Sequence, residues 1–419
     1  MTKQKLGCFK QLMKRIFLKA LKYILFFIPI KNGQLFVIPD STMRDEPCGI
    51  TNYTNDNVLI FLHFLFFYKD SFKTKIKTVY VVSANSVLRD DCLALQEMLK
   101  NIKLQVIDDC HLFRNVFSIL KYYLYLFSSQ IIINPTPMAS FLYKRKKQIV
   151  ITLPYYSAPF KSDVIKNSYA TKSNNIDYVI AASDFSGRMD LCASQLSYFK
   201  YIPLGSMRHD CMLKPRYTFA EIKQLLCLPA DCKKIIAYAP THRDGLLPHV
   251  HSALIGCSDF IRLNTILKEY NAFLIIKMHQ GMLNDTLKGI DNCSNLLVYR
   301  PSKYYTFYDI LSHADLLITD YSSIYFDFLV TGKPVIFNFC DRIEYEESRG
   351  LSYNPVELFC AGKIVNTEDE LYAVVEDELN GKSYKDNKHY NDVKNLFIKY
   401  TDGKTCERVY DFICKKIAE

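Results

Sequence analysis

Apolar residues in this chain fall into short runs whose spacing alternates between strand-like and helix-like periods. KTVYVVSA (77–84), QIIIN (130–134), QIVITL (148–153) and DYVIAAS (177–183) read as strands buried on both faces. Helical patterns at 88–100 and 112–127 lie between them. After KYIPLGSMRHD a helix-like stretch (219–227) leads into a second series: KIIAYAP (234–240), FLIIKMH (273–279), LLVYR (296–300), DLLITD (315–320) and PVIFNF (334–339). Helices at 258–270 and 303–313 fit between these strands. Such alternation predicts βαβ units and parallel sheets, so the expected fold class is α/β with two doubly wound, Rossmann-like domains. A linker near 205–218 separates a domain over 32–210 from one over 211–380, and 381–419 reads as a helical tail.

Residues 8–30, CFKQLMKRIFLKALKYILFFIPI, have a different pattern. Phe9, Leu12, Met13, Ile16, Phe17, Leu21, Ile24 and Leu25 recur at helical spacing with lysines between them. That is the pattern of a helix lying in an anionic membrane surface, and the same-sign charges favour it over a helix packed on the protein's own core. Residues 1–31 are therefore set apart as a basic amphipathic segment. The uninterrupted run Tyr23–Ile30 falls well short of the roughly 20 residues needed to span a bilayer. Val58–Tyr68 and Val116–Phe127 are aromatic-rich and also too short to span, and read as buried helices or an auxiliary membrane face.

Composition sharpens this picture. The 419 residues are 49% apolar and 23% charged, an ordinary globular balance. Fourteen cysteines are scattered without a C-x-x-C pair, and no cleavable leader is evident because Lys19 and Lys22 interrupt the first apolar stretch. Reduced thiols in a protein on the cytoplasmic face of a membrane are the expectation. The net charge is +10, and Lys3, Lys5, Lys10, Lys14, Arg15, Lys19, Lys22 and Lys31 supply eight positive charges before the first acidic residue, Asp40. With the excess confined to a tail, a nucleic-acid partner is not expected. Neither a metal site nor a cofactor is expected, since H-x-x-x-H and C-x-x-C spacings are missing.

In an open parallel sheet, ligands bind beyond the carboxyl ends of the strands. The second series delivers a coherent set to that rim: Pro240-Thr241-His242-Arg243-Asp244-Gly245 after its first strand, Lys277-Met278-His279 at the end of the second, Arg300 at the third, Asp320-Tyr321-Ser322-Ser323 at the fourth and Asp341 at the fifth. Cations, histidines and small hydroxyl residues together suit a phosphorylated ligand. Arg243 and Lys277 supply charge, and a helix start at Ser322-Ser323 supplies backbone N–H groups. Singly, each has a plainer reading. Ser322-Ser323 is also a common N-cap pattern, Arg243–Asp244 a surface ion pair, and His279 a satisfied strand-end histidine. Their coincidence on one rim favours a site.

The same residues resemble a known family, the CDP-glycerol glycerophosphotransferases. AYAPTHRDG resembles that family's "APTWR" segment, LIIKMHQ its "KLHP" strand end, ITDYSSIYFDFLVTGKPVIFNF its "TDYSSVMFDF…KPVIFY" segment, and DRIEYEESRGL its "D…YRE.RG" segment. GSMRHD resembles "GYPRND" at the domain junction, and Gly362 followed by Glu368 and Leu371 fits the tail pattern. The similarity spans roughly residues 77–378. It implies a glycosyltransferase-B-like fold, two Rossmann-type domains facing a cleft. It further implies a CDP-linked donor, a lipid-linked or polymeric acceptor, transfer of a glycerol- or ribitol-phosphate unit, and release of CMP. His279 matches a family histidine proposed to assist proton transfer. By the same matching Arg243, Ser322, Ser323, Asp327 and Arg349 fall on or beside the donor pocket, where the strand-end argument adds Thr241, Lys277, Arg300 and Asp320, and Arg208 and Asp210 fall at the interdomain junction. One departure stands out: where members carry "WHGTPLK", this chain has PYYSAPFK (154–161), with Tyr156 at the histidine position. His242, where the family usually has tryptophan, either supplies a second imidazole or packs near the base or ribose. Two other classes stay open: a glycosyltransferase-B enzyme using a nucleotide sugar for capsule or lipopolysaccharide, and an inactive scaffold of a surface-polymer assembly.

Overall fold

The computed structural model describes residues 25–38, 56–67, 75–83, 102–108, 116–134, 144–153, 175–194, 200–241, 260–277, 290–300, 305–348, 350–384 and 386–419. The first sheet contains β1 (Lys31–Val37), β2 (Thr78–Ser83), β3 (Lys103–Asp108), β4 (Ser129–Asn134), β5 (Ile149–Thr152), β6 (Tyr178–Ile180) and β7 (Tyr201–Ile202), in the order β3-β2-β1-β4-β5-β6-β7. The second contains β8 (Lys234–Ala239), β9 (Ala272–Ile276), β10 (Leu296–Val298), β11 (Leu316–Thr319), β12 (Val335–Asn338) and β13 (Lys363–Val365), ordered β10-β9-β8-β11-β12-β13. The second sheet is parallel throughout. In both sheets the first strand lies between the second and the fourth, the doubly wound order in which the winding direction reverses beside the first strand.

Helices among the described residues are α1 (Asp56–Phe67), α2 (Val116–Ser128), α3 (Asp184–Ser194), α4 (Met207–Leu213), α5 (Phe219–Leu225), α6 (Phe260–Glu269), α7 (Phe307–Leu311), α8 (Ile324–Phe328), α9 (Arg342–Ser348), α10 (Glu368–Leu379), α11 (Asn387–Phe397) and α12 (Thr405–Ala418). Among the described residues, no helix is long and apolar enough to cross a membrane. The basic segment lies outside them up to residue 24, as does the helix expected at 88–100.

The chain forms two compact units. One comprises Met1–Leu153, Ser173–Val179 and Arg408–Glu419, the other Pro154–Lys172 and Ile180–Glu407. Residues 180–210, placed by the sequence pattern in the first domain, thus group with the second. There Phe185 of α3 packs edge-to-face on Phe397 of α11 at 5.1 Å between ring centroids. The last twelve residues group with the first unit, where Tyr410 meets Phe64 and Phe412 meets Tyr178.

In the first unit, β1 is an interior strand between β2 and β4, although the sequence pattern assigns its first residue to the basic segment. Leu35, Phe36 and Val37 are fully buried. Gly33 has φ +78°, and a Cβ there would sit 2.3 Å from the Lys75 carbonyl oxygen, so only glycine lets the segment leading into β2 approach this closely. α1 buries Val58, Phe61 and Leu62. α2 buries Ile119, Tyr122, Leu126 and Phe127 while exposing Phe117 and Leu124. Both apolar stretches therefore pack on their own unit.

In the second unit the strands alternate between two cores. Ile235, Ala237, Ile275, Leu317 and Phe337 share one with residues of α4, α5, α7, α8 and α11. Ile236, Tyr238, Leu274, Ile318 and Ile336 share the other with residues of α6 and α10. Each face of the sheet is thus covered by helices, which is why its strands read as unbroken apolar runs.

Two helices of this unit end in the same hydrogen-bond pattern with different residues at the left-handed position. After α10, Gly381 (φ +84°) donates to the Glu378 carbonyl and Lys382 to that of Asp377. After α5, Cys227 (φ +54°) donates to Gln224 and Leu228 to Lys223. Both are Schellman closures, for which glycine is favoured because a Cβ clashes in the left-handed region. Cys227→Gly should therefore stabilise the protein by about 0.5–1 kcal/mol, after allowing for the greater freedom of glycine in the unfolded chain. Gly381→Ala should destabilise it by about 1 kcal/mol through backbone strain alone, since nothing lies within 4 Å of an added Cβ. Urea unfolding of the two variants beside the parent checks both signs.

Candidate functional site at the rim of the second sheet

The winding of the second sheet reverses between β8 and β11, and the chain leaves these strands at Thr241 and Asp320. The two exits are joined directly: the Thr241 backbone N–H donates to Asp320 Oδ1 at 2.8 Å. One step inside the strands, Thr319 Oγ1 donates to the Ala239 carbonyl at 2.8 Å. Thr241 and Asp320 are each only 2% exposed. A carboxylate in this position satisfies a buried amide and fixes the direction in which the chain departs towards residue 242.

Beyond Asp320 the chain turns into α8. Ser322 and Ser323 are partly exposed, and their carbonyls accept from the Tyr325 and Phe326 amides at 3.3 and 3.1 Å. Ser323 occupies the N-cap but its side chain makes no capping hydrogen bond. The plain capping role therefore does not account for this hydroxyl. Between Asp320 and Ser322 sits Tyr321, fully buried, with its ring between those of Phe339 (4.8 Å) and Tyr345 (3.8 Å).

A second group of expected site residues gathers around Asp327. This carboxylate is fully buried in α8. Its Oδ2 accepts from the Tyr308 hydroxyl at 2.9 Å and lies 3.2 Å from Arg208 Nε, while Oδ1 lies 3.5 Å from His209 Nε2. The Arg208 guanidinium also sits 5.6 Å from the Tyr308 ring centroid. Lys277, at the exit of β9, reaches the opposite end of the cluster: its Nζ is 5.2 Å from the Phe307 ring centroid and 6.0 Å from that of Tyr308. The structure thus pairs Asp327 with Arg208, two residues the sequence reading assigns to different places. His209 went unnoticed in that reading; its position between Arg208 and Asp210 in GSMRHD was the available signal.

The remaining expected residues lie apart. Asp210 accepts from the Thr405 and Cys406 amides at 3.0 and 2.8 Å, a carboxylate at the positive start of α12. Burial pushes the Cys406 thiol well above its ordinary pKa, and the neighbouring Asp210 adds to this. Arg300 is exposed, just after the edge strand β10. Asp341 is buried after β12, next to Cys340, whose thiol is pushed up to about 11 by burial and by the Asp341 charge. His242, Arg243, His279 and Arg349 lie outside the described residues, as does Tyr156. Among the described residues, no cluster of His, Cys, Asp or Glu side chains is arranged to hold a metal ion.

Removing one partner from a buried ion pair leaves an uncompensated charge. Asp327→Ala should therefore destabilise the protein by about 3–5 kcal/mol. A second change that removes the Arg208 charge, Arg208→Met, should recover part of that loss. Thermal unfolding of the two single variants and the double variant checks this; purely additive losses would contradict the pairing.

Comparison with known proteins agrees with the fold and with the family resemblance. The family model for CDP-Glycerol:Poly(glycerophosphate) glycerophosphotransferase matches residues 54–415. The teichoic acid glycerol-phosphate primase of Bacillus subtilis (strain 168) is 25% identical over 356 residues, covering 80% of this chain and 85% of that protein. The teichoic acid ribitol-phosphate polymerase TarL of Staphylococcus aureus (strain NCTC 8325 / PS 47) is 34% identical over 211 residues, which span 50% of this chain and 36% of the polymerase. Among solved structures, the wall teichoic acid polymerase TagF superposes with a TM-score of 0.71 at 18% identity, covering 100% of this chain and 98% of the TagF chain. The two parallel sheets and this likeness give a glycosyltransferase-B-like fold, and the match over most of the sequence places the chain, a transferase, in the CDP-Glycerol:Poly(glycerophosphate) glycerophosphotransferase family.

Proposed function

We propose that this transferase moves a glycerol- or ribitol-phosphate unit from a CDP-linked donor to a hydroxyl of a cell-surface polymer or its lipid-linked precursor, releasing CMP. The observation that carries the reading is the rim of the second sheet. The family's threonine and "TDYSS" segments meet there, at the switch point, through the Thr241–Asp320 hydrogen bond. In the proposed reaction an acceptor hydroxyl attacks the phosphorus that bears the polyol. The bond from that phosphorus to the CMP oxygen breaks, and CMP departs with the electron pair. His279 takes the hydroxyl proton. His242 supplies a second imidazole in a chain that has Tyr156 at the other family histidine position, since a tyrosine of ordinary pKa near 10 is a weak base at neutral pH.

The other rim residues bind the donor. Arg243, Lys277 and Arg349 offset the diphosphate charge, with Arg300 the outermost cation. Ser322 and Ser323 offer hydroxyl groups, and Asp320 holds Thr241 in place. Arg208 acts at one remove, fixing Asp327 and Tyr308 beneath Lys277, and Asp210 holds the start of α12. The acceptor is membrane-bound in this reading, and residues 1–31 hold the enzyme to the anionic cytoplasmic face of the membrane.

Purified protein given CDP-glycerol, CDP-ribitol and a panel of nucleotide sugars should release CMP from a CDP-polyol. Release of a nucleoside diphosphate from a nucleotide sugar instead would replace this reading with the glycosyltransferase one. His279→Ala should lower turnover by about 10²- to 10⁴-fold with little change in donor affinity, because a proton acceptor acts mainly in the transition state. A folded variant with near wild-type turnover would remove His279 from the mechanism. In liposome flotation, deletion of residues 1–31 should abolish salt-sensitive binding to anionic vesicles, each basic residue contributing about 1 kcal/mol. Equal binding by both forms would rule out that attachment.

A further inference from the structure

α9 follows β12 on the proposed donor rim and leads through residue 349 to Gly350. Of its described side chains only that of Tyr345 is buried; Ile343, Glu344 and Glu347 are exposed. Its polar ties include ion pairs from Arg342 to Glu346 and Glu357, both partly exposed. Pairs of that kind hold a helix weakly. Tyr345 is different. Its ring is fully buried and stacks on Tyr321 at 3.8 Å with 13° between planes, and Tyr321 stacks in turn on Phe339 at 4.8 Å and 6°.

The same residue carries the backbone in both directions. The Tyr345 amide donates to the Asp341 carbonyl at 2.9 Å, and the Tyr345 carbonyl accepts from the Gly350 amide at 3.1 Å. Gly350 has φ +75°, so the chain reverses there in a conformation suited to glycine. On the other side of the stack, Tyr321 lies between Asp320, which holds Thr241, and the Ser322-Ser323 turn. One ring–ring contact therefore joins the turn after β11 to the segment that ends at Gly350.

We infer that Tyr345 is a positioning residue for donor binding: stacked on Tyr321, it sets the Arg342–Gly350 segment against the 320–323 turn so that both meet one donor molecule. The inference rests on the donor-site reading of this rim. An aromatic contact of this type fixes direction as well as distance, because offset stacking restricts ring slide and tilt. The three rings belong to one of the sheet's two cores, so loss of the stack frees α9 on that side while the other core, with Ile236, Leu274 and Ile318, is left intact. Ground-state contacts to the donor suffer more than the transfer step, so the effect falls on KM rather than kcat.

The experiment compares wild type, Tyr345→Phe and Tyr345→Leu in two measurements. The first is hydrogen–deuterium exchange without donor. Tyr345→Leu should speed exchange across 342–351 and leave α10 unchanged, while Tyr345→Phe, which keeps the ring, should match wild type. The second is CMP release from CDP-glycerol and CDP-ribitol. Tyr345→Leu should raise the donor KM roughly three- to tenfold, the worth of one aromatic pair, with a smaller change in kcat, and Tyr345→Phe should restore it. Should Tyr345→Leu not fold, Tyr345→Met, a flexible side chain without a ring, is read the same way. Unchanged donor KM in an active ring-less variant, or an equal loss in Tyr345→Phe, overturns the inference and leaves the donor site standing. A wild-type enzyme that releases no CMP from either donor overturns the donor-site reading, and this inference with it.

Discussion

The carboxylate of Asp327 is the point on which the second unit turns. It is fully buried, and a buried charge persists only when surrounding donors replace the water it has lost. Here the surrounding groups come from separate elements: the Tyr308 hydroxyl of α7 donates a hydrogen bond, and Arg208 and His209 of α4 stand within 3.2 and 3.5 Å, while Asp327 itself stands on α8. Satisfying one charge thus fixes three short helices relative to one another. None of the three is long enough to be stable alone, so their order comes from tertiary contacts. α8 is the helix into which the β11 turn runs, and α7 places Phe307 and Tyr308 beside Lys277. The positions of Ser322, Ser323 and Lys277 on the rim therefore depend on a carboxylate that need not touch any ligand.

Above this buried anion the polar groups change in kind. Asp320 is engaged with a backbone amide, and among the described residues Lys277 and Arg300 follow the ends of their strands. Negative charge is buried where it is paired and organises the framework, and these two cations stand past the strand ends. This division suits recognition of an anionic ligand, because acidic groups free to repel it are drawn into internal bonds.

How far all this could be read from the sequence varies by element. The five strands β8 to β12 were legible because helices cover both faces of their sheet, leaving apolar runs with little alternation. β1 was hidden: it opens on Lys31, Asn32, Gly33 and Gln34, and only its last three residues, Leu35, Phe36 and Val37, are apolar. β3, KLQVID, mixes polar and apolar positions, and β13, KIV, begins on an exposed lysine and offers only two apolar residues. In the candidate site, Thr241, Asp320 and the serine pair were picked out by one rule, that parallel sheets bind ligands at their strand ends. The pairing of Arg208 with Asp327 was not legible, since contact between residues so far apart in sequence leaves no periodic trace. The Tyr321–Tyr345 stack was likewise invisible, although both tyrosines lie in segments that had been singled out.

The division of α12 between the two units bears on how the protein is made. Its first turn is held by Asp210 in the second unit, while Arg408–Glu419 belong to the first. Val409, Tyr410, Ile413 and Ile417 are buried, and the Ile417 carbonyl accepts from Gln130 Nε2 at 3.1 Å. Domains generally fold in the order in which they leave the ribosome. Here the first unit to emerge lacks a piece of its own core until every residue of the second has been translated. Its completion is thereby deferred until the second unit has emerged, and the interval exposes apolar surface that a chaperone is suited to cover.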